Sequence, residues 1–304
     1  MLVGISMHPG VLARLQEAAC VDVMPWNDPR IPEAIGNYDG AVVYTPPADA
    51  RVVREAHRLK VIACHSCPHD IAQAAAKRGI RVTLVPSLWS TVADMTLALL
   101  FAAARCVPQV DAAIRQGLWG EVDLKARYSG LDVFGKTLGI VGLGRIGGLL
   151  AKRVQGFDMR LLYYDAERKP DLERGLSIAY APLEQLLAQS DFVALLVPLT
   201  DTTRGMIGEK ELGLMKRDAV LVNTARGAVV DQPALCRALR ERRIAAAGLD
   251  VYVEEPIRPG DPLLSLDNVV LAPHLGGSTK DCDLVLVEDV MRVLSGVEPL
   301  HPLV

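Results

Sequence analysis

Short, near-continuous apolar runs alternate along the chain with longer stretches whose apolar positions recur at helical spacing, the pattern of βα units around a parallel sheet. In the N-terminal part the runs Val3–Ser6, Val21–Met24, Ala41–Tyr44, Val61–Cys64 and Arg81–Leu84 predict strands, with helices over Pro9–Ala18, Ala50–Arg58 and Asp70–Arg78. A second series begins at Thr137, with strands over Leu138–Leu143, Arg160–Asp165, Phe192–Val197, Ala219–Asn223, Ala246–Val251 and Asn268–Ala272. Its helices are expected over Ile146–Val154, Leu183–Gln189, Lys210–Met215 and Gln232–Arg242. The strands are apolar throughout, as a sheet covered on both faces requires. Between the two series, Thr91 to about Arg115 reads as one long helix rich in Ala and Leu and apolar around most of its circumference. Something must bury such a helix, either the rest of the chain or a second subunit.

A length of 304 residues is too great for one ordinary core and points to two domains. Half the residues are hydrophobic and 23% are charged, the composition of a soluble globular protein. The net charge of -3 gives no reason to expect a nucleic-acid or membrane partner. The densest basic group, Arg237, Arg240, Arg242 and Arg243, reads as a solvated helix face. Met1–Gly10 has no basic n-region, and Leu97–Ala104 falls far short of the roughly 20 residues of a membrane helix. A cytoplasmic protein is expected. The six cysteines do not form a disulfide framework in a chain of this size. Cys64-His65-Ser66-Cys67-Pro68-His69 has the spacing of a redox pair or half a metal site, but no second ligand pair accompanies it, so reduced thiols without a catalytic role and no metal are expected.

Gly142-Leu143-Gly144-Arg145-Ile146-Gly147 fits G-x-G-x-x-G, follows a predicted strand and opens a predicted helix, which is the context of a dinucleotide site. Gly142 allows the tight turn, Gly144 lets backbone approach a pyrophosphate, and Gly147 lets the helix sit close on the sheet. The amides of Arg145 and Ile146 at the helix start then face negative charge. Asp165, at the end of the next strand, supplies the carboxylate for the ribose hydroxyls and favours NAD over NADP, a preference that Arg168 and Lys169 soften.

Ligands of such sheets bind beyond the carboxyl ends of the strands, where this sequence puts Thr224-Ala225-Arg226-Gly227, then Asp250 with Glu254-Glu255-Pro256, then Pro273-His274-Leu275-Gly276. A planar Arg fork suits a carboxylate, and imidazole has the intrinsic pKa to give and take a proton near neutrality. A carboxylate beside that imidazole would favour its charged form; Glu255 is the best placed candidate. The set suits reduction of a 2-keto acid: Arg226 for the carboxylate, His274 as proton donor, and a bound hydride donor.

At these residues the chain resembles the D-isomer-specific 2-hydroxyacid dehydrogenases. The likeness runs from about Val61 to Pro299: Ile140–Gly147 resembles the family's NAD motif, Val222–Gly227 with Asp231 its arginine motif, Gly248–Pro256 its glutamate motif, and Pro273-His274 its histidine motif. The resemblance implies that Arg226 binds substrate, that Glu255 rather than Glu254 pairs with His274, and that His274 is the acid/base. It also implies that Asp250 contacts the nicotinamide carboxamide, that Thr91, Val197 and Pro198 line the cofactor site, and that Thr224, Ala225, His274 and Gly276 approach the nicotinamide. Two Rossmann-like doubly wound parallel-sheet domains follow: residues 1–93 completed by 278–304 for substrate, and 94–277 for NAD. The helix near residues 94–115 then resembles a dimerisation element, so a homodimer is expected.

Two departures stand out. The loop after the fourth strand, which in relatives contains Gly and offers amides to the substrate carboxylate, is here Gly-free and shorter; Ser66 and Cys67 are the best placement for that contact. Tyr44 stands where phosphoglycerate-oxidising relatives carry an Arg, and with no regulatory domain expected after Val304 this argues against 3-phosphoglycerate. The leading expectation is an NAD-dependent reductase of glyoxylate, hydroxypyruvate or a simple 2-keto acid. Oxidation of a one-carbon or inorganic donor such as formate or phosphite, and an NAD-sensing protein resembling corepressors, are the alternatives.

Overall fold

The computed structural model describes residues 1–25, 28–45, 53–54 and 56–304. Contacts divide the chain into two compact units, Met1–Leu88 with Gly277–Val304, and Trp89–Gly276.

In the first unit five parallel strands, β1 (Leu2–Gly4), β2 (Asp22–Val23), β3 (Gly40–Val43), β4 (Val61–Cys64) and β5 (Arg81–Leu84), lie in the order β2-β1-β3-β4-β5. Alternate residues of β1, β3 and β4 enter opposite cores. Leu2, Ala41, Val43, Ile62 and Cys64 pack under helix His69–Lys77, while Val3, Val42, Val61 and Ala63 pack under helix Lys280–Leu294. Both faces of β1, β3 and β4 are dry, which is why these strands carry no polar alternation, while β2 and Arg81 of β5 are exposed. The expected helix Ala50–Arg58 lies partly outside the described residues; Val53 and Arg54 are helical and Ala56–Arg58 are not.

The C-terminal segment covers the β5 edge. Leu303 donates to the Val82 carbonyl at 2.7 Å, Leu84 donates to the His301 carbonyl at 3.2 Å, and Thr83 bridges Pro302 antiparallel. Asp289, on helix Lys280–Leu294 and only 1% exposed, ties this segment down by accepting from the Leu300 amide at 2.7 Å and His301 Nδ1 at 3.1 Å.

The second unit holds seven parallel strands, β6 (Thr137–Val141), β7 (Arg160–Tyr164), β8 (Ile178–Tyr180), β9 (Phe192–Leu195), β10 (Val220–Asn223), β11 (Ala246–Leu249) and β12 (Val269–Leu271), in the order β12-β11-β10-β9-β6-β7-β8. The order reverses between β6 and β9, which makes the carboxyl end of β6 the switch point where a crevice opens. Leu138, Ile140, Phe192, Ala194, Val220 and Val222 face one core, and Val141, Val193, Leu195 and Leu221 face the other. β8 was not foreseen, being a three-residue edge strand with only Ile178 buried.

The single helix expected over Thr91–Arg115 is two helices, Leu88–Ala104 and Val107–Arg115, bent by 60°. Pro108 has no amide to offer the Ala104 carbonyl, which accepts instead from the Leu131 amide at 2.8 Å, and Cys106 takes a left-handed conformation, φ 52°. Helix Gln232–Arg240 likewise ends before Arg242 and Arg243, and three of the four arginines are paired: Arg237 with Glu209, Arg242 with Asp267, Arg243 with Glu241. Among the described residues no single helix is long and apolar enough to cross a membrane.

Asp289→Ala should strip two hydrogen bonds from a buried site and lower the stability of the chain by about 2–3 kcal/mol. Urea unfolding measures that loss, and faster amide exchange at Val82 and Leu84 would localise it to the β5 edge; unchanged exchange there would contradict the clasp.

Candidate active site

β6 ends at Val141 because Gly142 turns the chain with φ 103°; a Cβ at Gly142 would stand 2.8 Å from the Leu196 carbonyl carbon. At Gly147 a Cβ would stand 2.3 Å from the Gly142 carbonyl oxygen, so helix Arg145–Arg153 rests directly on the turn that precedes it. Gly144 is the N-cap, and the first amides of the helix, with its positive dipole end, form an anion site. The Arg145 guanidinium lies over the Trp89 ring, 4.2 Å from its centroid, a cation–π contact that holds the charge at the helix start. Asp165 follows β7, its Oδ2 accepting from the Leu143 amide at 2.9 Å and from Lys169 Nζ at 3.0 Å. Lys169 Nζ also donates to the Leu143 carbonyl at 3.1 Å. Arg168 is drawn off by Glu173, 2.8 Å away. A glycine cradle, a helix start and a carboxylate at the next strand end fit a dinucleotide.

Beyond β10, Asn223 is buried and staples the next three residues: its Oδ1 accepts from the Ala225 amide and its Nδ2 donates to the Arg226 carbonyl, both at 3.0 Å. The hydroxyls of Thr224 and Thr96 meet at 2.7 Å, and the Thr96 hydroxyl is also 2.8 Å from the Val92 carbonyl. A carbonyl can only accept, so Thr96 donates to Val92 and Thr224 donates to Thr96. The orientation of Thr224 is thereby set by a residue on helix Leu88–Ala104. Arg226 is exposed on extended backbone, with Nη1 donating to the Ala225 carbonyl at 2.6 Å. Asp231 caps helix Gln232–Arg240 by accepting from the Ala234 amide.

Beyond β11 and β12 the chain is held by Asp250, 1% exposed. Its backbone carbonyl accepts from the His274 amide at 2.9 Å, and its carboxylate oxygens accept from the Leu275 and Gly276 amides at 2.7 and 2.8 Å. His274 takes a left-handed conformation, φ 55°, uncommon outside glycine and asparagine. Its Nδ1 is 2.6 Å from Glu255 Oε2, while Glu255 Oε1 accepts from the Tyr252 amide at 2.9 Å. Glu254, by contrast, pairs with Arg258 on the surface.

Glu255 feels burial that raises its carboxyl, but the His274 and Tyr252 hydrogen bonds outweigh it and hold the group below the usual glutamate range. The same bond raises His274 above the ordinary imidazole value of 6.5, against the opposing effect of burial. Burial raises Asp250, and the two amides that it accepts work the other way. With Glu255 ionised, Nδ1 carries the bonded proton, and in the charged ring Nε2 carries the second.

The strand ends of this unit thus carry Gly142, Gly144, Arg145, Ile146 and Gly147 after β6, Asp165 after β7, Val197 and Pro198 after β9, Thr224–Arg226 after β10, and Asp250, Glu255, His274 and Gly276 after β11 and β12. Thr91 lies on helix Leu88–Ala104. In the other unit, Ser66 and Cys67 follow β4: the His65 and Ser66 amides both donate to the Tyr44 carbonyl at 3.1 Å, and Ser66 Oγ meets Thr45 Oγ1 at 2.7 Å. Asn223, Thr96 and Trp89 were not singled out from the sequence. Asn223, placed one residue before the Thr224–Arg226 run, carried a signal as an Asx stapler; Thr96 and Trp89 are distant in sequence and carried none.

A phosphate-binding helix start, a ribose carboxylate and a paired imidazole at the neighbouring strand ends define a nicotinamide-dependent oxidoreductase. Residues 97–276 match the model of the D-isomer specific 2-hydroxyacid dehydrogenase NAD-binding domain, and the chain belongs to that family. It is 48% identical over 293 residues to a glyoxylate reductase of Korarchaeum cryptofilum (strain OPF8), covering 93% of this chain and 88% of that one. A crystal structure of a Thermus thermophilus protein superposes with TM-score 0.80 at 39% identity over 100% of this chain and 99% of the other. An NADPH-dependent glyoxylate/hydroxypyruvate reductase from Sinorhizobium meliloti, in complex with NADP and malonate, gives TM-score 0.73 at 29% identity over 99% and 95%. NAD is the cofactor of this chain's family domain.

Glu255→Gln removes the charge that favours imidazolium, so the His274 pKa should fall. An NMR titration of the His274 ring should move to lower pH in the variant; coincident curves would break the pairing.

Proposed function

We propose that the chain reduces a small 2-keto acid to the D-2-hydroxy acid with NADH, and runs the reverse oxidation with NAD, glyoxylate and hydroxypyruvate being the first substrates to consider. The His274–Glu255 contact at 2.6 Å carries this reading, because it favours a protonated imidazole at the ends of strands that also present Arg226 and the dinucleotide loop. Glyoxylate enters from the named activities of the archaeal relative and the bacterial structure.

In this mechanism Arg226 grips the substrate carboxylate through its planar fork, and its charge draws electron density from the adjacent carbonyl. His274 donates its Nε2 proton to the carbonyl oxygen and takes one back from the hydroxyl in the reverse direction. Glu255 holds the ring through Nδ1 and favours the charged form that reduction needs. A nicotinamide held there would supply or accept the hydride. Gly142, Gly144, Arg145, Ile146 and Gly147 would hold its pyrophosphate, Asp165 its ribose, and Asp250 with Thr91, Val197, Pro198, Thr224, Ala225 and Gly276 its nicotinamide end. Lys169 sits on Asp165 and offsets part of its charge, so the preference for NAD over NADP is expected to be moderate.

The unit Met1–Leu88 with Gly277–Val304 is assigned to the substrate through Ser66 and Cys67. Since the His65 and Ser66 amides are taken up by the Tyr44 carbonyl, the Ser66 contribution is assigned to its hydroxyl. A homodimer is supported by exposed Val107, Ile114, Trp119 and Val122, an apolar run just past the helix break. Six free thiols support a cytoplasmic setting.

NADH oxidation against a panel of 2-keto acids tests the reading, and one acid standing well above the others is expected. Silence across the panel with NADH still bound would discard a keto-acid reductase in favour of an NAD-sensing role. His274→Ala should lower kcat about 10²- to 10⁴-fold while NADH binding persists; unaltered turnover would remove His274 from the mechanism. Asp165→Ala should raise the NADPH-to-NADH efficiency ratio, and a fixed ratio would show that the carboxylate does not select the cofactor.

A further inference from the structure

Two cations follow Asp165 at the end of β7, and the fold turns them in different directions. Lys169 lies against the glycine turn, its Nζ 3.0 Å from Asp165 Oδ2 and donating to the Leu143 carbonyl at 3.1 Å. Arg168 is exposed, and its planar fork is held by Glu173 on helix Pro170–Leu176. Arg168 Nε donates to Glu173 Oε1 at 2.8 Å and Nη2 donates to Oε2 at 2.9 Å, a bidentate pair. The guanidinium also stands 6.0 Å from the centroid of the Tyr180 ring on β8, a second hold on the same group.

Glu173 is itself fixed from inside the sheet. Tyr163, a fully buried residue of β7, meets Glu173 Oε1 through its hydroxyl at 2.7 Å. The Lys169 amide donates to that hydroxyl oxygen at 2.7 Å, and a carboxylate only accepts, so Tyr163 gives its own hydrogen to Glu173. The Tyr163 ring packs edge-on against Tyr180, with centroids 5.5 Å apart. Hydrogen bonds from Arg168 and Tyr163 hold the Glu173 carboxyl down at about 2, so the pair stays charged at neutral pH. Exposed ion pairs seldom carry weight, but a bidentate fork tied to a buried hydroxyl is the geometry in which they do.

We infer that Glu173 is a specificity-determining residue: by sequestering Arg168 it denies a guanidinium to the 2′-phosphate of NADP at the ribose end of the dinucleotide site. Lys169 already offsets Asp165, so the carboxylate by itself excludes a 2′-phosphate only in part. Arg168 follows Asp165 closely in the chain and carries the side chain best suited to a phosphate. Left free, it would turn this strand end into a site for the phosphorylated dinucleotide. Bound to Glu173 it contributes no net charge there, and the two cations are balanced by two carboxylates. Glu173 acts through Arg168 and is not assigned a contact with the dinucleotide. The inference rests on the proposed placing of the ribose at Asp165 and does not involve the keto acid.

The test is equilibrium binding of NADH and NADPH to the full chain, followed by nicotinamide fluorescence with no keto acid present. Glu173→Gln keeps an acceptor for Tyr163 but gives up the charge and one arm of the fork. It should tighten NADPH about 10-fold, the worth of one charge-assisted hydrogen bond, and leave NADH unchanged. Adding Arg168→Ala to Glu173→Gln should cancel the gain, whereas a purely structural role for Glu173 would move both dinucleotides alike. Equal NADPH affinity in the native and Glu173→Gln chains, or a gain that survives Arg168→Ala, would overturn the inference. Should Glu173→Gln not fold, the native chain decides: the NMR signal of the Arg168 Nε–H group, identified by its loss in Arg168→Ala, should stay in place when NADPH binds. A shift with NADPH and none with NADH would put the fork on the phosphate and end the inference. Asp165→Ala in the same titration separates the two readings. A ratio that moves there but not in Glu173→Gln removes this inference alone, and a ratio fixed in Asp165→Ala removes the ribose assignment and this inference with it.

Discussion

The chemistry of the second unit depends on one buried carboxylate. Asp250 leaves the end of β11 and accepts three successive amides, His274 through its carbonyl and Leu275 and Gly276 through its side chain. Three charge-assisted or backbone hydrogen bonds on consecutive residues are enough to keep His274 in a left-handed conformation that costs an ordinary side chain of order 1–3 kcal/mol. Held there, the imidazole meets Glu255, which is itself oriented by the Tyr252 amide. Remove Asp250 from this scheme and nothing would keep the ring on its partner.

The same economy appears beyond β10. Asn223 closes hydrogen bonds at both ends of the Thr224–Arg226 run, and Thr96 sets the direction of the Thr224 hydroxyl from a helix far away in sequence. Arg226 thus carries an exposed side chain on a backbone pinned by Asn223. Around these polar ends the parallel strands are dry on both faces, and their alternation between two cores makes the strand ends rigid supports.

Charge is balanced differently at the cofactor end. Asp165 would repel a 2′-phosphate if it stood alone, but Lys169 shares it with the Leu143 backbone. The charge presented at the end of β7 is therefore that of a pair and not of a lone carboxylate. In the first unit the loop after β4 is tightened by the Tyr44 carbonyl, which accepts from two successive amides, where a glycine-bearing loop would have relied on backbone freedom.

Much of this was legible in the residues alone. Uninterrupted Val, Ile, Leu and Ala runs at regular intervals report a doubly covered parallel sheet, since only a strand dry on both faces lacks polar alternation; β4 and β5 match to the residue. The glycine fingerprint, Asp165, Arg226, Glu255 and His274 were visible because their spacing places them after apolar runs. What local pattern could not carry were the long-range choices. The break after Ala104 depends on a carbonyl captured by Leu131, and the Thr96–Thr224 bond joins residues 128 positions apart. Periodicity encodes which face of an element is buried; which groups then meet is settled by packing, because a hydrogen bond between distant residues leaves no trace in either neighbourhood.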